Sequence, residues 1–245
     1  MKLKSVLLIA AGIIIAAYPV VKDIYTEYMQ NRILKEWEEE RRVFEERMHD
    51  NDDACEVSGD AVNAYLNLDE SFSGLNEADS GLNEAEYENT ENNENEAGTG
   101  KSNRFVTLGI IKIDKINVNL PVMDGATPEI LKIGAGKLKG TTDIGKIGNT
   151  AISAHRSHTY GRNFNRLDEV EEGDIVVIST LDADYAYEVF NILVVEPDDV
   201  SVLKKSETES ILTLITCHPL YTATHRLIVQ ARLIDTVFHS SNPEG

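Results

Sequence analysis

The second half of the chain is a series of short apolar runs separated by turns, and this pattern restricts the possible folds more than any other feature. The clearest runs, rich in β-branched and aromatic residues, are 106–113, 116–122, 149–154, 174–180, 185–196, 211–216 and 226–234. Helical signals are few, although Thr127-Pro128 is typical of a helix start. The pattern predicts an all-β fold, an eight-stranded closed β-barrel with short helices in its connections. The glycine-rich residues 134–148 are interpreted as turns, because they lack the lysine and serine spacing of a phosphate loop.

Acidic residues are concentrated in one part of the chain. The formal net charge is -19, but residues 23–100 hold 23 acidic and 5 basic side chains, whereas residues 101–245 hold 19 and 15. The second half therefore lacks the clustered basic surface that nucleic acid binding requires, and we predict no nucleic acid partner. Residues 101–245 are enough for one folded domain with a sizeable core.

An uncharged run, residues 5–21, lies between two early lysines and Lys22. Its length is just sufficient to cross a hydrocarbon core of ~30 Å when Tyr18 lies at the interface. A cleaved signal peptide is the alternative, but Tyr18 and Pro19 stand where a cleavage site needs small residues. We therefore predict an uncleaved membrane anchor over residues 1–22. The preceding lysines predict a single-pass protein with a cytoplasmic N-terminus and an extracellular folded domain.

Residues 23–100 are interpreted as an acidic linker with two parts. Residues 23–49 favour helix, either as a juxtamembrane helix or as a partly helical solvated tether. Residues 51–100 are rich in Asn, Glu, Gly and Ser and contain a glycine-bearing heptad twice, at 73–79 and 80–86. Such a composition buries too little apolar surface to offset the entropy of ordering. We predict a disordered spacer that holds the folded domain away from the membrane.

The two cysteines of the chain differ in their surroundings. Cys55 lies among polar residues of the linker and is interpreted as an exposed thiol without a role. Cys217 follows the apolar run 211–216, and Pro219 cannot continue a strand, so the strand is expected to end at this thiol. An antiparallel hairpin of 211–216 with 226–234 would place Cys217 opposite Arg226, with Cβ atoms roughly 5 Å apart. A thiol beside a fixed cation is a candidate nucleophile.

An extracellular thiol enzyme needs a base or cation near its cysteine, because a free cysteine has a pKa near ~8.5. His155 directly follows the run 149–154, as Cys217 follows its own run, and both are expected at one rim of the barrel. His158 is the alternative partner. His218 is a poor one, because successive side chains of a strand point to opposite faces.

Together these motifs resemble the sortases, the membrane-anchored cysteine transpeptidases of Gram-positive bacteria. The resemblance covers roughly residues 105–234. It rests on four motifs: Thr213-Leu214-Ile215-Thr216-Cys217, Arg226 within Thr224-His225-Arg226-Leu227-Ile228-Val229, Ala154-His155-Arg156, and Leu167 followed by Gly173-Asp174. It implies that Cys217 is the nucleophile, His155 the catalytic histidine and Arg226 the arginine of the site.

The resemblance also implies the reaction. Cys217 would attack the carbonyl after threonine in an LPxTG- or LPxTA-like sorting signal, and the resulting thioester would pass to a peptidoglycan amine, anchoring a surface protein. Arg226 would stabilise the oxyanion and His155 would transfer protons. Thr216 and Ala154 are assigned to substrate binding, with simple packing as the alternative for Thr216. Many relatives have glycine where this chain has Ala154.

Two further expectations concern metals and subclass. Asp124 and Glu171 are interpreted as solvated carboxylates rather than a calcium site, and we predict no metal and no cofactor. The chain lacks the Asp-Pro-aromatic lid motif of pilin-polymerising sortases, since no proline occurs between Pro19 and Pro121. The sequence favours class D over class A. Two other functions remain open: a hydrolytic cysteine peptidase on the same scaffold, and a non-catalytic tethered wall-binding barrel.

Overall fold

The computed structural model describes residues 21, 24–43, 59–68, 72 and 105–239. Eight strands form a closed barrel in the order β1-β2-β3-β4-β7-β8-β6-β5, which confirms the predicted architecture. The strands are β1 (Thr107–Ile113), β2 (Val118–Asp124), β3 (Ala135–Lys137), β4 (Gly148–Ala154), β5 (Ile175–Ser179), β6 (Ala183–Val195), β7 (Ser210–His218) and β8 (His225–Phe238). The helices are α1 (24–43), α2 (Gly59–Leu66) and α3 (Pro128–Ile133), and short 3-10 turns span Asp114–Ile116, Leu167–Glu169 and Val200–Leu203.

β7 is buried on both faces, which explains its almost continuous apolar sequence. Leu212 and Leu214 belong to the cluster that fills the barrel. Ile215 and Cys217 belong to a second cluster, which also contains residues of the N-terminal region. The strand that carries the cysteine is therefore held between two apolar layers.

β4 and β7 run parallel, and this pairing brings their carboxyl ends to the same edge of the barrel. Six consecutive residue pairs join them, from Gly148↔Ser210 to Ser153↔Ile215. At the start of β4, the other end of this strand pair, the Asn149 side-chain amide donates a hydrogen bond of 2.9 Å to the Val202 carbonyl oxygen. Its oxygen accepts a hydrogen bond of 2.8 Å from the Thr213 hydroxyl.

The structure differs from the sequence interpretation in two local places. β3 lies in the glycine-rich passage that was interpreted as turns only. Gly136 allows this strand to pass close to its neighbour, because a Cβ there would lie 2.2 Å from the Gly125 carbonyl oxygen. β7 extends beyond residue 216 to His218.

Helix α1 packs on the barrel. Trp37 is buried, and Ile33 packs against the cluster that contains Met123 and Ile130. The Gln30 amide donates to the Asn163 side chain at 3.0 Å, which links the helix to the loop after β4. Among the helices of the described residues, none is long and apolar enough to cross a membrane. Apart from Val21, the predicted anchor lies outside the described residues.

Candidate active site

Cys217 and Arg226 face each other at the open end of the β7–β8 hairpin, as the sequence predicted. They are direct partners in the antiparallel register. The Arg226 Nη1 atom lies 3.9 Å from the Cys217 Sγ atom, which accepts its hydrogen bond. Both side chains are buried, with 1% of Arg226 and 4% of Cys217 exposed to solvent. The arrangement places a permanent cation next to a thiol in a dry environment.

The backbone and an aromatic ring hold the Arg226 guanidinium in place. Nη1 also donates to the carbonyl oxygens of His225 at 3.0 Å and Ala223 at 3.4 Å. Its Cζ atom lies 5.3 Å from the centre of the Phe72 ring, a distance typical of a cation–π interaction. Burial lowers the pKa of the guanidinium and the nearby Tyr65 raises it. The group nevertheless stays charged at physiological pH.

His155 directly follows β4 and is buried. The parallel register pairs Ser153 with Ile215. Continuing that register by two residues brings His155 level with Cys217, because residues at equal positions on neighbouring strands lie side by side. The structure thus brings all three predicted catalytic residues to one edge of the barrel, at the ends of three adjacent strands.

Thr216 and Ala154, which the sequence assigned to substrate binding, contact each other. The Thr216 hydroxyl donates to the Ala154 carbonyl at 2.8 Å, and neither residue has exposed surface. In this conformation the contact joins β7 to β4 just below the cysteine. A direct role of the pair in substrate binding stays a prediction.

The thiol of Cys217 is protonated at neutral pH in this conformation. Burial raises its pKa to about 12, and the positive charge of Arg156 acts in the opposite direction. Desolvation disfavours the thiolate because the charged form loses its contacts with water. A change that admits water or a polar substrate would therefore make the nucleophile more acidic.

Three side chains from the N-terminal region close the site: Tyr65, Leu68 and Phe72, called here the aromatic cover. All three are buried, and they share one apolar cluster with Cys217. They belong to the stretch that the sequence assigned to a disordered spacer. Residues 59–68 and 72 are ordered here because these large apolar side chains bury against the end of the barrel.

The cover is the part of the site that the sequence interpretation missed. The chain has no Asp-Pro-aromatic motif, yet an aromatic ring lies over the arginine of the site. The sequence feature that could have revealed the cover is a short group of apolar residues within 61–72, in an otherwise polar linker.

The other histidines near the site have different contacts. His218 Nδ1 lies 2.9 Å from the Arg156 Nη1 atom. His158 is exposed, and its ring centre is 5.2 Å from that of Tyr221. Within the described part of the chain, no group of three or more His, Cys, Asp or Glu side chains could hold a metal ion. Glu171, a possible calcium ligand in the sequence, pairs with Lys115 at 2.6 Å.

Comparisons with known proteins point to one family. A family model described as a sortase domain matches residues 111–234. The chain belongs to the sortase family. It is 31% identical to sortase D of Bacillus subtilis over 111 residues, which cover 45% of this chain and 54% of that protein. It is 32% identical to sortase A of Streptococcus agalactiae over 151 residues, which cover 59% of this chain and 60% of that protein.

Solved sortase structures resemble the barrel as well. A lid mutant of sortase A from Corynebacterium diphtheriae is 31% identical, with a TM-score of 0.52, over 55% of this chain and 73% of that chain. The chain spans about half the length of the curated relatives it matches. These relatives carry the names sortase D, sortase A and sortase SrtE1, and class D stays a prediction.

Proposed function

We propose that this sortase is a cysteine transpeptidase that cleaves an LPxTG- or LPxTA-like sorting signal after threonine and transfers the acyl group to a cell-wall amine. The observation that carries the proposal is the pairing of the Cys217 thiol with the Arg226 guanidinium at 3.9 Å, next to the strand end that carries His155. A nucleophile, a fixed hydrogen-bond donor and a proton carrier are the groups that acyl transfer requires.

The first half of the reaction forms a thioester. The Cys217 sulfur attacks the threonine carbonyl carbon, and its proton passes to His155. The carbonyl oxygen becomes an oxyanion, which accepts hydrogen bonds from Arg226. When the tetrahedral intermediate collapses, the carbon–nitrogen bond breaks and His155 protonates the departing amine. In the second half the acceptor amine attacks the thioester carbonyl carbon and His155 removes the amine proton. The carbon–sulfur bond then breaks, and His155 returns the proton to the sulfur, which restores the thiol.

The aromatic cover has to move before this chemistry begins. Only 4% of Cys217 is exposed, so a peptide carbonyl cannot reach its sulfur in the conformation described. Displacement of the cover would also hydrate the thiol and lower its raised pKa. Substrate entry and activation of the nucleophile would then be a single event.

We further propose that the enzyme is a single-pass membrane protein with its N-terminus in the cytoplasm and its barrel outside the cell. The apolar residues 5–21 and the lysines before them support this placement. Its partners would be surface proteins with a sorting signal and the amine of a peptidoglycan stem or cross-bridge, in a Gram-positive cell wall. Class D remains our assignment among the sortase classes.

The test is a transfer assay with the full chain in detergent. LPxTG and LPxTA peptides are incubated with and without an amine acceptor such as triglycine, and intact-mass spectrometry follows the protein and the products. We expect an acyl-enzyme adduct and a product joined to the amine. Release of acid at the same rate with and without amine would indicate a hydrolytic peptidase instead. Absence of adduct and of transfer product with every peptide would refute the proposal.

Arg226→Ala is expected to lower kcat/KM for transfer by about a hundredfold, because loss of one oxyanion donor costs roughly 10²–10³ in kcat. Arg226→Lys is expected to recover only part of this loss, because a single ammonium group cannot reproduce the planar fork of donors. The measurement is steady-state transfer at saturating amine.

The matched control for Arg226 is Arg232→Ala. Arg232 lies on the same strand, is exposed, and pairs with Glu209 at 3.9 Å on the surface. We expect nearly unchanged turnover for this control. Equal activities for Arg226→Ala and Arg232→Ala would remove Arg226 from the mechanism.

A further inference from the structure

Arg156, the residue after His155, has a buried guanidinium with contacts on two sides of the active site. Only 5% of its side chain is exposed. Its Nη1 atom donates to the Cys217 carbonyl oxygen at 3.3 Å and lies 2.9 Å from His218 Nδ1. Its Nε atom donates to the Asn165 carbonyl at 3.3 Å. Its Nη2 atom lies 2.6 Å from a carboxylate oxygen of Asp168.

These contacts join segments that are distant in sequence. Cys217 and His218 end β7, whereas Asp168 lies in the 3-10 turn Leu167–Glu169. Arg156 itself belongs to the loop that starts with His155, and it also forms an isolated backbone bridge with Asn163. One side chain therefore ties the histidine-bearing loop to the end of the cysteine-bearing strand.

The chemistry of this position requires arginine. Burying a cation is costly unless it is paired and its donors are satisfied. Asp168 supplies the opposite charge, and the planar fork allows the other nitrogen atoms to reach the two carbonyl groups at the same time. A lysine could make one of these contacts but could not span them.

We propose that Arg156 is a positioning residue of the transfer reaction, in which it holds the loop of His155 and the backbone of Cys217 at a fixed separation. The inference rests on the proposed function. Arg156 does not touch the substrate in this role. It acts through Cys217 and His155, because proton transfer between the Cys217 sulfur and the His155 imidazole depends steeply on their mutual geometry.

The charge of Arg156 has a second effect on the nucleophile. Burial raises the pKa of Cys217, and the Arg156 charge lowers it. Other titratable or charged groups near the thiol include Arg226 on β8, His155 after β4, the adjacent His218 and Tyr65 from the aromatic cover. Removing the Arg156 charge should therefore shift ionisation of the thiol to higher pH. Replacing its partner Asp168 leaves the Arg156 charge in place and should not shift it.

The experiment uses the full chain and two independent readouts. The first is kcat and KM for peptide transfer. The second is the pH profile of Cys217 alkylation by iodoacetamide in a Cys55→Ala background, where Cys217 is the single thiol, and it needs no turnover. Arg156→Met is expected to lower kcat at least about tenfold with KM within about twofold, and to move the alkylation midpoint to higher pH. Asp168→Asn is expected to lower kcat while leaving the midpoint in place.

Arg156→Lys separates charge from geometry. It keeps the cation, so the alkylation midpoint should stay near that of the wild type, but its single ammonium group should not restore kcat. If Arg156→Met fails to fold, Arg156→Lys and Asp168→Asn carry the test. Wild-type kcat in the folded variants would overturn the proposal, and so would a KM increase that accounts for the whole loss.

The matched control is Arg166→Met. Arg166 pairs with Glu169 in the same 3-10 turn, with Nη2 and the carboxylate 2.6 Å apart. Among the residues that the structure describes, its contacts do not extend to β7. This control should leave kcat and the alkylation profile unchanged. A loss of kcat equal to that of Arg156→Met would mean that any damage to this turn lowers activity, which would contradict the proposal. An inactive wild type with a normal alkylation profile would instead count against the proposed function, which keeps the two failures distinct.

Discussion

Cys217→Ala is expected to abolish both the acyl-enzyme adduct and peptide transfer, with a loss of at least about ten-thousandfold. In the proposed reaction the sulfur is the attacking atom, and alanine has no group that could replace it. Alanine keeps the Cβ atom of a side chain that packs among Ile215 and Ile228. The barrel should therefore remain folded while only the nucleophile is lost. Intact-mass analysis after peptide addition gives the adduct, and chromatography gives the transfer product.

The chain contains its own control for this experiment. Cys55, which lies outside the described residues, is the second cysteine, and Cys55→Ala should retain wild-type transfer. Transfer by Cys217→Ala at more than a small fraction of the wild-type rate would contradict the assignment of the nucleophile. Normal function of Cys217→Ala in cells would favour a non-catalytic wall-binding barrel.

The barrel was predictable because its strands are local patterns. β-Branched and aromatic residues are concentrated in short runs between turns, and the ends of these runs locate the strand ends. Cys217 next to Pro219 and His155 after its run could be assigned to a rim for this reason. The hairpin register then followed, because two neighbouring strands with a short connection have few ways to pair.

Long-range packing was not predictable from these patterns. Three-residue β3 contains no β-branched residue, and close backbone approach at Gly136 holds it in place. The Arg156 network joins residues up to 62 positions apart, so no sequence window contains both ends. The aromatic cover is more distant still, since Phe72 contacts Arg226. The linker was predicted to be a disordered spacer because its overall composition is polar. The few apolar residues that become buried have little weight in that average.

The aromatic cover is closed and the Cys217 thiol is protonated in the same conformation, which we call the resting state. A buried, protonated cysteine reacts slowly with oxidants and with stray electrophiles. In the proposed mechanism its activation requires displacement of the cover, which would expose the sulfur and Arg226 together. In that mechanism the closed conformation protects the thiol, and its stability relative to an open one would set how fast the thiol becomes available.

Phe72→Ala is expected to increase the rate of Cys217 labelling by a small thiol reagent at neutral pH by about a hundredfold. Removal of a buried Phe ring costs roughly 3 kcal/mol of packing, and 1.4 kcal/mol corresponds to about a tenfold change in the open population. Labelling occurs through the open state, so its rate follows that population. The measurement is the rate of labelling in a Cys55→Ala background, where Cys217 is the single thiol.

Tyr65→Phe is expected to act in the opposite direction. Within the described residues the buried Tyr65 hydroxyl has no hydrogen-bond partner, and an unsatisfied buried hydroxyl costs about 1–3 kcal/mol. Phenylalanine keeps the ring and removes this cost, so the closed cover becomes more stable and labelling slows by about tenfold. Leu66→Ala is the matched control, because Leu66 lies on the same helix but 43% of it is exposed. Equal labelling rates in Phe72→Ala, Leu66→Ala and the parent would show that the cover does not limit access to the thiol.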